Sequence, residues 1–229
     1  MMLQGLNKTT GKVLLYRLYP VEIELKGEFL GTEYGGWFVN LEGISKSSIV
    51  YSLGVGEDIS FDLTLIEKTG ARVYAFDPTP RSIRWVKSQQ LPDEFKLYEY
   101  GIAGYDGVAR FKPPANPDHV SHTILDKPET TDKAIEVEVH RLKTIMKELG
   151  HDKIELLKMD IEGAEYEVLD DLVSSHLDVK QILVEFHHRW DNVGYWKTLK
   201  TIRKLRGVGY RVFHISKSGD EYSLIKPNR

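Results

Sequence analysis

The stretch Val50–Asp62, VYSLGVGEDISFD, decides how the chain folds. Its apolar first half predicts a buried strand, Gly54 and Gly56 predict a tight turn, and the residues from Ile59 onward predict a helix. Strand, glycine turn and helix in this order are typical of a parallel α/β sheet. Such sheets bind ligands at the carboxyl ends of their strands, so this turn is the first candidate binding loop.

The alternation of strand and helix continues along most of the chain. Further strands are predicted at Arg72–Phe76, Phe95–Tyr100, Ile135–Val139, Ile154–Met159, Val179–Glu185, Tyr210–Ile215 and residues 221–225. Helices are predicted from Thr79, over Leu142–Leu149, from about Gly163, and around a buried face of Trp196, Leu199, Ile202 and Leu205. A β-rich insert, with a short strand at GVARFKPP and a long loop, interrupts this pattern between residues 107 and 139. We therefore expect an α/β, Rossmann-like domain over residues 48–229. Residues 1–47 are expected to add a small β element built from VEIEL and GTEYGGWFV.

Composition narrows the classes of function. The 229 residues suffice for one sizeable hydrophobic core, and the formal net charge of −3 leaves no basic surface for nucleic acid. Cysteine is absent, which excludes disulfides and thiolate metal sites. The apolar stretches are too short for a membrane span or a signal peptide, so a cytoplasmic protein is expected. Nothing in the pattern predicts an oligomeric state.

Polar residues follow several of the predicted strands and are expected to meet at one edge of the sheet. They are Gly54–Asp58, Asp77, Asp160–Glu162 and Glu185–His188. The two glycines would let the backbone approach a ligand closely. Asp77 ends the second strand, where an acid can accept hydrogen bonds from ribose hydroxyls. Both features suit an adenosine cofactor.

Charge separates the possible cofactors. A dinucleotide brings a pyrophosphate to the helix N-terminus, where Glu57 and Asp58 would repel it. S-adenosylmethionine has no phosphate and carries a sulfonium and an ammonium, which carboxylates favour. The alternative for both acids is that they only stabilise the N-terminus of their helix. The missing third glycine and the second acid at Asp77 favour S-adenosylmethionine.

Four segments together resemble the FkbM-type S-adenosylmethionine-dependent methyltransferases: VYSLGVGEDISFD, AFDPTP, LLKMDIEGAEYEVL and ILVEFHHR. The resemblance covers residues 30 to 225, and KMDIEGAE is its most specific part. It implies a class I methyltransferase fold, whose seven-stranded, largely parallel sheet has an antiparallel last strand. It also implies an oxygen acceptor on a small or sugar-like molecule.

The resemblance carries roles to individual positions. Gly54 and Gly56 match the first cofactor motif, Gly101 and Ile102 match backbone positions near the adenine, and Asp160 and Glu162 match the fourth-strand acids. Ser52 stands where many members have aspartate, so Glu57 or Asp58 is expected to replace that carboxylate. The expected cofactor-binding set is therefore Ser52, Gly54, Gly56, Glu57, Asp58, Asp77, Gly101, Ile102, Asp160 and Glu162.

Asp160, Glu185 and His187 are the candidates for catalysis. Asp160 would hold the cofactor's ammonium, orient a substrate hydroxyl, ligate a divalent metal or cap the next helix. His187 shares the strand parity of Glu185, so it is favoured over His188 as the inward-facing general base. Its alternative is a structural surface histidine. Two acids spaced i, i+2 supply too few ligands for a hard cation, so no metal is expected.

Three residues are expected to contact the methyl acceptor. His119 and His122 lie on the long loop, where a lid over the substrate is favoured over a histidine metal cluster with His187. Trp37 would wall the pocket or pack in a hairpin core. Two other functions remain open at this stage: an NAD-dependent oxidoreductase, and a methyltransferase-like binding module without catalysis.

Overall fold

The glycine turn within Val50–Asp62 joins an interior strand of a seven-stranded sheet to a helix. The computed structural model describes Val13 and residues 17–112, 134–190 and 192–227. The strands are β1 (Glu28–Leu30), β2 (Trp37–Val39), β3 (Ile49–Leu53), β4 (Arg72–Phe76), β5 (Phe95–Tyr98), β6 (Gly101–Ile102), β7 (Gly107–Phe111), β8 (Ile135–His140), β9 (Ile154–Met159), β10 (Val179–Glu185), β11 (Arg211–Ile215) and β12 (Glu221–Ile225). The helices are α1 (Ser60–Thr69), α2 (Pro80–Lys87), α3 (Leu142–Leu149), α4 (Glu165–Ser174) and α5 (Tyr195–Gly207).

The main sheet has the strand order β11-β12-β10-β9-β3-β4-β5. Strands β3, β4, β5, β9 and β10 are parallel, and β12 lies antiparallel between β10 and β11. The chain moves outward from β3 to β5 and then returns to β9, so the order switches between β3 and β9. The predicted Rossmann-like, class I methyltransferase fold with an antiparallel last strand is confirmed. Its switch point is where such sheets open a crevice.

Helices cover both faces of this sheet because its strands alternate their side chains between two cores. Tyr51 and Leu53 of β3 belong to the core beneath α3, α4 and α5, whereas Val50 belongs to the core beneath α1 and α2. All five residues of β3 are buried, as expected for a strand that is covered on both sides.

Two smaller sheets flank the main one. Strands β7 and β8 form the predicted β-rich insert and β6 adds a third strand to it; residues 113–133 lie outside the described residues. Strands β1 and β2 form an antiparallel pair near the N-terminus. Reciprocal hydrogen bonds between the Asn40 backbone and the Gln181 side chain, 2.9 Å each, attach this pair to β10. The division of the chain at residue 47 stays a prediction.

Two local predictions were wrong. VEIEL forms no strand of its own, because Glu22 instead bonds through its backbone and side chain to Val212, next to an irregularity in β11. Trp196 is 57% exposed, and Tyr195 takes the buried position in front of Leu199. Leu199, Ile202 and Leu205 are buried as predicted, so only the first position of the predicted face was wrong.

Within the described ranges, no helix is both long enough and apolar enough to cross a membrane.

Asp62 of α1 is a buried carboxyl group with an unfavourable environment. Burial raises its pKa to about 6, although the charge of Lys158 and the Ser52 hydroxyl act in the opposite direction. Because the folded-state pKa lies above the unfolded value of 3.8, folding favours the protonated form. The unfavourable contribution therefore begins above that unfolded value and is complete above pH 6–7.

We accordingly expect Asp62→Asn to stabilise the protein at pH 7.5 by up to about 3 kcal/mol and to have little effect at pH 4. Urea unfolding at the two pH values measures this difference, with the exposed Asp93→Asn as the matched control. A variant that loses stability at pH 7.5 would contradict the argument.

Candidate active site

A cavity of about 470 Å³ opens at the carboxyl ends of β3, β4, β9 and β10. This volume lies within the range of pockets that bind small molecules and cofactors. Its lining includes most of the residues that the sequence singled out: Trp37, Gly54, Gly56, Glu57, Asp58, Asp77, Gly101, Ile102, Asp160, Glu162, Glu185 and His187. Residues from four separate strand ends therefore meet at the switch point of the sheet.

Gly54 lies where the ends of β3 and β9 come close together. Its φ is +71°, and a Cβ atom built on it would lie 1.8 Å from the backbone oxygen of Asp160. Its amide donates to the backbone oxygen of Phe76 at 2.9 Å. The glycine thus lets the ends of β3, β4 and β9 converge around the cavity.

Asp77 has a different environment from the one expected of a free ribose ligand. One carboxylate oxygen accepts hydrogen bonds from the amides of Val55 and Gly56, at 3.2 and 3.0 Å. The other accepts the amide and hydroxyl of Thr79, at 2.9 and 2.5 Å. These four bonds use all the acceptor positions of a carboxylate. In this structure Asp77 therefore organises the glycine turn itself.

The two acids of the glycine turn also have hydrogen-bond partners within the protein. Glu57 accepts both hydrogen bonds of a bidentate contact from Arg81, at 2.9 and 2.8 Å. Asp58 accepts the Ser60 amide at 2.8 Å and the Thr32 hydroxyl at 2.5 Å. Arg81 offsets the charge of Glu57, so Glu57 alone no longer argues against a pyrophosphate.

The acidic part of the site lies instead at the ends of β9 and β10. Nε2 of His187 is 3.3 Å from Glu162 and 3.8 Å from Asp160. On the other side of the ring, Nδ1 lies 3.3 Å from Glu165, which also accepts the His187 amide at 3.0 Å. Glu185 lies in the same group and also lines the cavity. His187 is thus enclosed by carboxylates from the turn after β9 and from α4.

These groups alter one another's protonation. Burial by itself would lower the pKa of His187, but the hydrogen bond and charge of Glu165, with Asp160 and Glu162, raise it to about 10. Burial and the charge of Asp160 raise the pKa of Glu185 to about 8. Burial also raises the pKa of Asp160. In the free protein at neutral pH, His187 therefore carries a proton and is not available as a base.

Lys158, which the sequence analysis did not select, is a buried cation beside the acids. Its ammonium donates to the backbone oxygen of Gly54 and lies 5.7 Å from the centre of the Trp37 ring. It is only 6% exposed and lines the cavity. Lys158 stands two residues before Asp160 in KMDIEGAE, and strand residues two apart share a face. This spacing is the sequence signal that could have placed Lys158 beside the acids.

The turn between β1 and β2 covers one side of the cavity. Trp37 is 6% exposed and lies in both the lining and the core, so both roles considered for it occur together. Tyr34 is 88% exposed and also lines the cavity. Thr32 attaches the turn to α1 through a 2.8 Å hydrogen bond from its amide to the Ser60 hydroxyl.

The other sequence candidates have different positions. Ser52 is fully buried within β3 and does not reach the cavity, so it cannot contact a bound cofactor directly. The reason is its position one residue before the end of β3, where its side chain faces α1. His119 and His122 lie outside the described residues. His188 is turned away from the cavity, with Nε2 3.2 Å from Asp220.

Comparison with known proteins gives a consistent result. The sequence profile described as the methyltransferase FkbM domain matches residues 50–212. A probable methyltransferase-like protein 24 from Rattus norvegicus is 27% identical over 185 residues, which cover 76% of this chain and 44% of that protein. The human protein of the same name is also 27% identical, with 74% and 43% coverage. The chain thus spans less than half the length of these curated relatives.

Among solved structures, the methyltransferase FkbM from Methylobacillus flagellatus KT aligns with a TM-score of 0.49 and 14% identity. The alignment covers 80% of this chain and 44% of that chain. A fibrillarin pre-rRNA processing protein from Methanococcus jannaschii also gives a TM-score of 0.49, with 10% identity and coverage of 91% and 86%.

The contact of Gly54 with Asp160 leads to a direct test. We expect Gly54→Ala to destabilise the protein by several kcal/mol, because the new methyl group has no room against a backbone oxygen. Gly43→Ala is the matched control, since its φ is +81° but nothing lies within 4 Å of its added Cβ. That control should cost only about 1 kcal/mol, the strain of a left-handed alanine. Equal urea midpoints for the two variants would show that the Gly54 contact is unimportant.

Proposed function

This chain belongs to the FkbM methyltransferase domain family, and from that premise we propose that it transfers a methyl group from S-adenosylmethionine to an oxygen of a small-molecule or sugar-like acceptor. The observation that carries the proposal is the composition of the cavity. Its mouth combines a glycine turn that admits a nucleoside with a group of carboxylates that favours a positively charged ligand.

The residues present fit the two ends of this cofactor. Phe76, Pro78, Ile102 and Phe111 give the β4 side of the cavity an apolar wall suited to a purine ring. On the β9 side, the Oδ1 atom of Asp160 is sealed from solvent and accepts no hydrogen bond from the described residues. Such a buried acceptor is costly unless a donor or a cation reaches it. Gly54 and Gly56 lie between these ends.

When bound, S-adenosylmethionine supplies an electrophilic methyl group on sulfur, and methylation forms a carbon–oxygen bond as the carbon–sulfur bond breaks. The protein must hold the acceptor oxygen in line and provide for the loss of its proton. We assign acceptor activation to Asp160, Glu185 and His187, which converge on one side of the cavity. His187 carries a proton in the free protein, and a positive ligand bound beside it would favour the loss of that proton.

The charge around the cavity supports a small acceptor over nucleic acid. Carboxylates line its rim on both sides, and the chain as a whole has a net charge of −3. A polyanionic backbone would approach this rim unfavourably. A neutral hydroxyl compound meets no such barrier. Tyr34, exposed at the rim, offers an aromatic surface for it.

Calorimetric titration with S-adenosylhomocysteine tests the cofactor assignment. We expect micromolar-range binding, and no comparable binding of NAD⁺. Asp77→Ala should weaken binding at least tenfold, because the amides of Val55 and Gly56 would lose the acceptor that holds the glycine turn. Asp93 is exposed and outside the cavity lining, so Asp93→Ala removes the same group there and should bind like the wild type.

Binding of NAD⁺ without binding of S-adenosylhomocysteine would replace the proposal with an oxidoreductase. Binding of neither would leave a methyltransferase-like domain without this cofactor. Once cofactor binding is established, transfer of a labelled methyl group to a panel of hydroxyl and amine compounds tests the acceptor class. Labelling restricted to amines or to RNA would contradict the oxygen acceptor.

A further inference from the structure

Three ligand-type side chains converge on one side of the cavity. Asp160 follows β9, Glu185 ends β10 and His187 lies two residues later, and one ligand atom from each falls within 4.8 Å of the others. Ligands of a small divalent ion lie at about 2.1 Å, so opposite ligands are about 4.2 Å apart. A carboxylate oxygen that moves by a few tenths of an ångström, as its group rotates, closes the difference. The two acids of the β9 turn alone supply too few ligands for a hard cation, and Glu185 and His187 add two from the end of β10 and the residues after it.

The environment of His187 is that of a metal ligand. Glu165 is fully buried and is held by the Gly163 amide at 2.8 Å. Its other oxygen lies 3.3 Å from Nδ1 of His187, which directs Nε2 toward Glu162, Asp160 and the cavity. A metal-ligating histidine characteristically donates its second ring nitrogen to a carboxylate in this way, which fixes the ring and its tautomer. A surface histidine with only a structural role has no need of this support.

The hydrogen bonds of the two carboxylates point to the same ligand. Asp160 Oδ1 is enclosed by protein and accepts no hydrogen bond from the described part of the chain. Glu185 lies directly opposite Glu221 in the β10–β12 pair, where two acids repel each other. Glu221 is held by the Ser216 and Ser218 hydroxyls, so it cannot turn toward its neighbour without losing them. A cation between Asp160 and Glu185 would relieve both features.

We propose that Asp160, Glu185 and Nε2 of His187 bind one divalent cation of the Mg²⁺/Mn²⁺ class at the edge of the cavity. Two carboxylates and one imidazole form a mostly oxygen donor set, which suits these ions. Three protein ligands leave positions open for water and for the acceptor oxygen. A cation there acts as a Lewis acid and lowers the pKa of the acceptor hydroxyl. That role rests on the proposed function, whereas binding of the ion does not.

Mn²⁺ is a suitable probe because its free form gives a strong electron paramagnetic resonance signal. The full chain, first treated with a chelator, is titrated with Mn²⁺ in the presence and absence of S-adenosylhomocysteine. We expect one bound Mn²⁺ per chain. Glu185→Gln and His187→Ala should each weaken Mn²⁺ binding at least tenfold.

Glu221→Gln is the matched control, because it removes a carboxylate opposite Glu185 that is not among the three ligands. It should weaken Mn²⁺ binding less than threefold. Asp160→Asn is a second ligand variant if either of the others fails to fold, which circular dichroism reports. Equal losses in Glu185→Gln and Glu221→Gln would reduce the site to general attraction by acids and would overturn the proposal.

The outcomes separate this inference from the proposed function. If S-adenosylhomocysteine binds and Mn²⁺ does not, the cation site is wrong and the cofactor assignment stands. If Mn²⁺ binds at the three ligands and S-adenosylhomocysteine does not, the cation site stands and the cofactor assignment fails. Mn²⁺ binding that survives all the ligand variants overturns the site.

Discussion

The cavity depends on the approach of two strand ends at Gly54. Only a residue without a Cβ can pass the backbone oxygen of Asp160 there, and its left-handed φ turns the chain sharply out of β3. The backbone oxygen of Gly54 then accepts a hydrogen bond from the ammonium of Lys158, which belongs to β9. The backbone of Gly54 thus contacts both Lys158 and Asp160, and connects them to the glycine turn. A larger residue would separate them and move the acids away from the turn.

This arrangement divides the cavity into parts with different physical character. Near β3 and β4, the charged side chains have partners within the protein: Asp77 binds the turn, Glu57 binds Arg81 and Asp58 binds the cover formed by β1 and β2. Near β9 and β10, the carboxylates exceed the cations that face them, and the pKa of His187 rises as a result. Ligand charge is therefore recognised at the second part, and the first part mainly provides shape.

The sequence predicted the fold well because parallel strands place their carboxyl ends along one edge. Once β3, β4, β9 and β10 were located, residues such as Asp77 and Glu185 had to lie near one another, and the structure places them around one cavity. What the sequence could not supply was the partner of each group. The Glu57–Arg81 pair and the four bonds of Asp77 depend on side-chain directions across loops. Ser52 was placed at the cavity by motif alignment alone, although strand parity turns it into the core.

Charge balance connects the two ligands proposed for this cavity. A cationic cofactor and a divalent ion both draw on the carboxylates around His187, so each weakens the attraction available to the other unless a negative group lies between them. An acceptor oxygen that loses its proton becomes that negative group. A deprotonated acceptor oxygen between them would attract both the cofactor and the ion, and would so offset the repulsion between these two cations. In such a site the strongest binding belongs to the complete set of ligands, which makes the deprotonated acceptor the species that the cavity stabilises best.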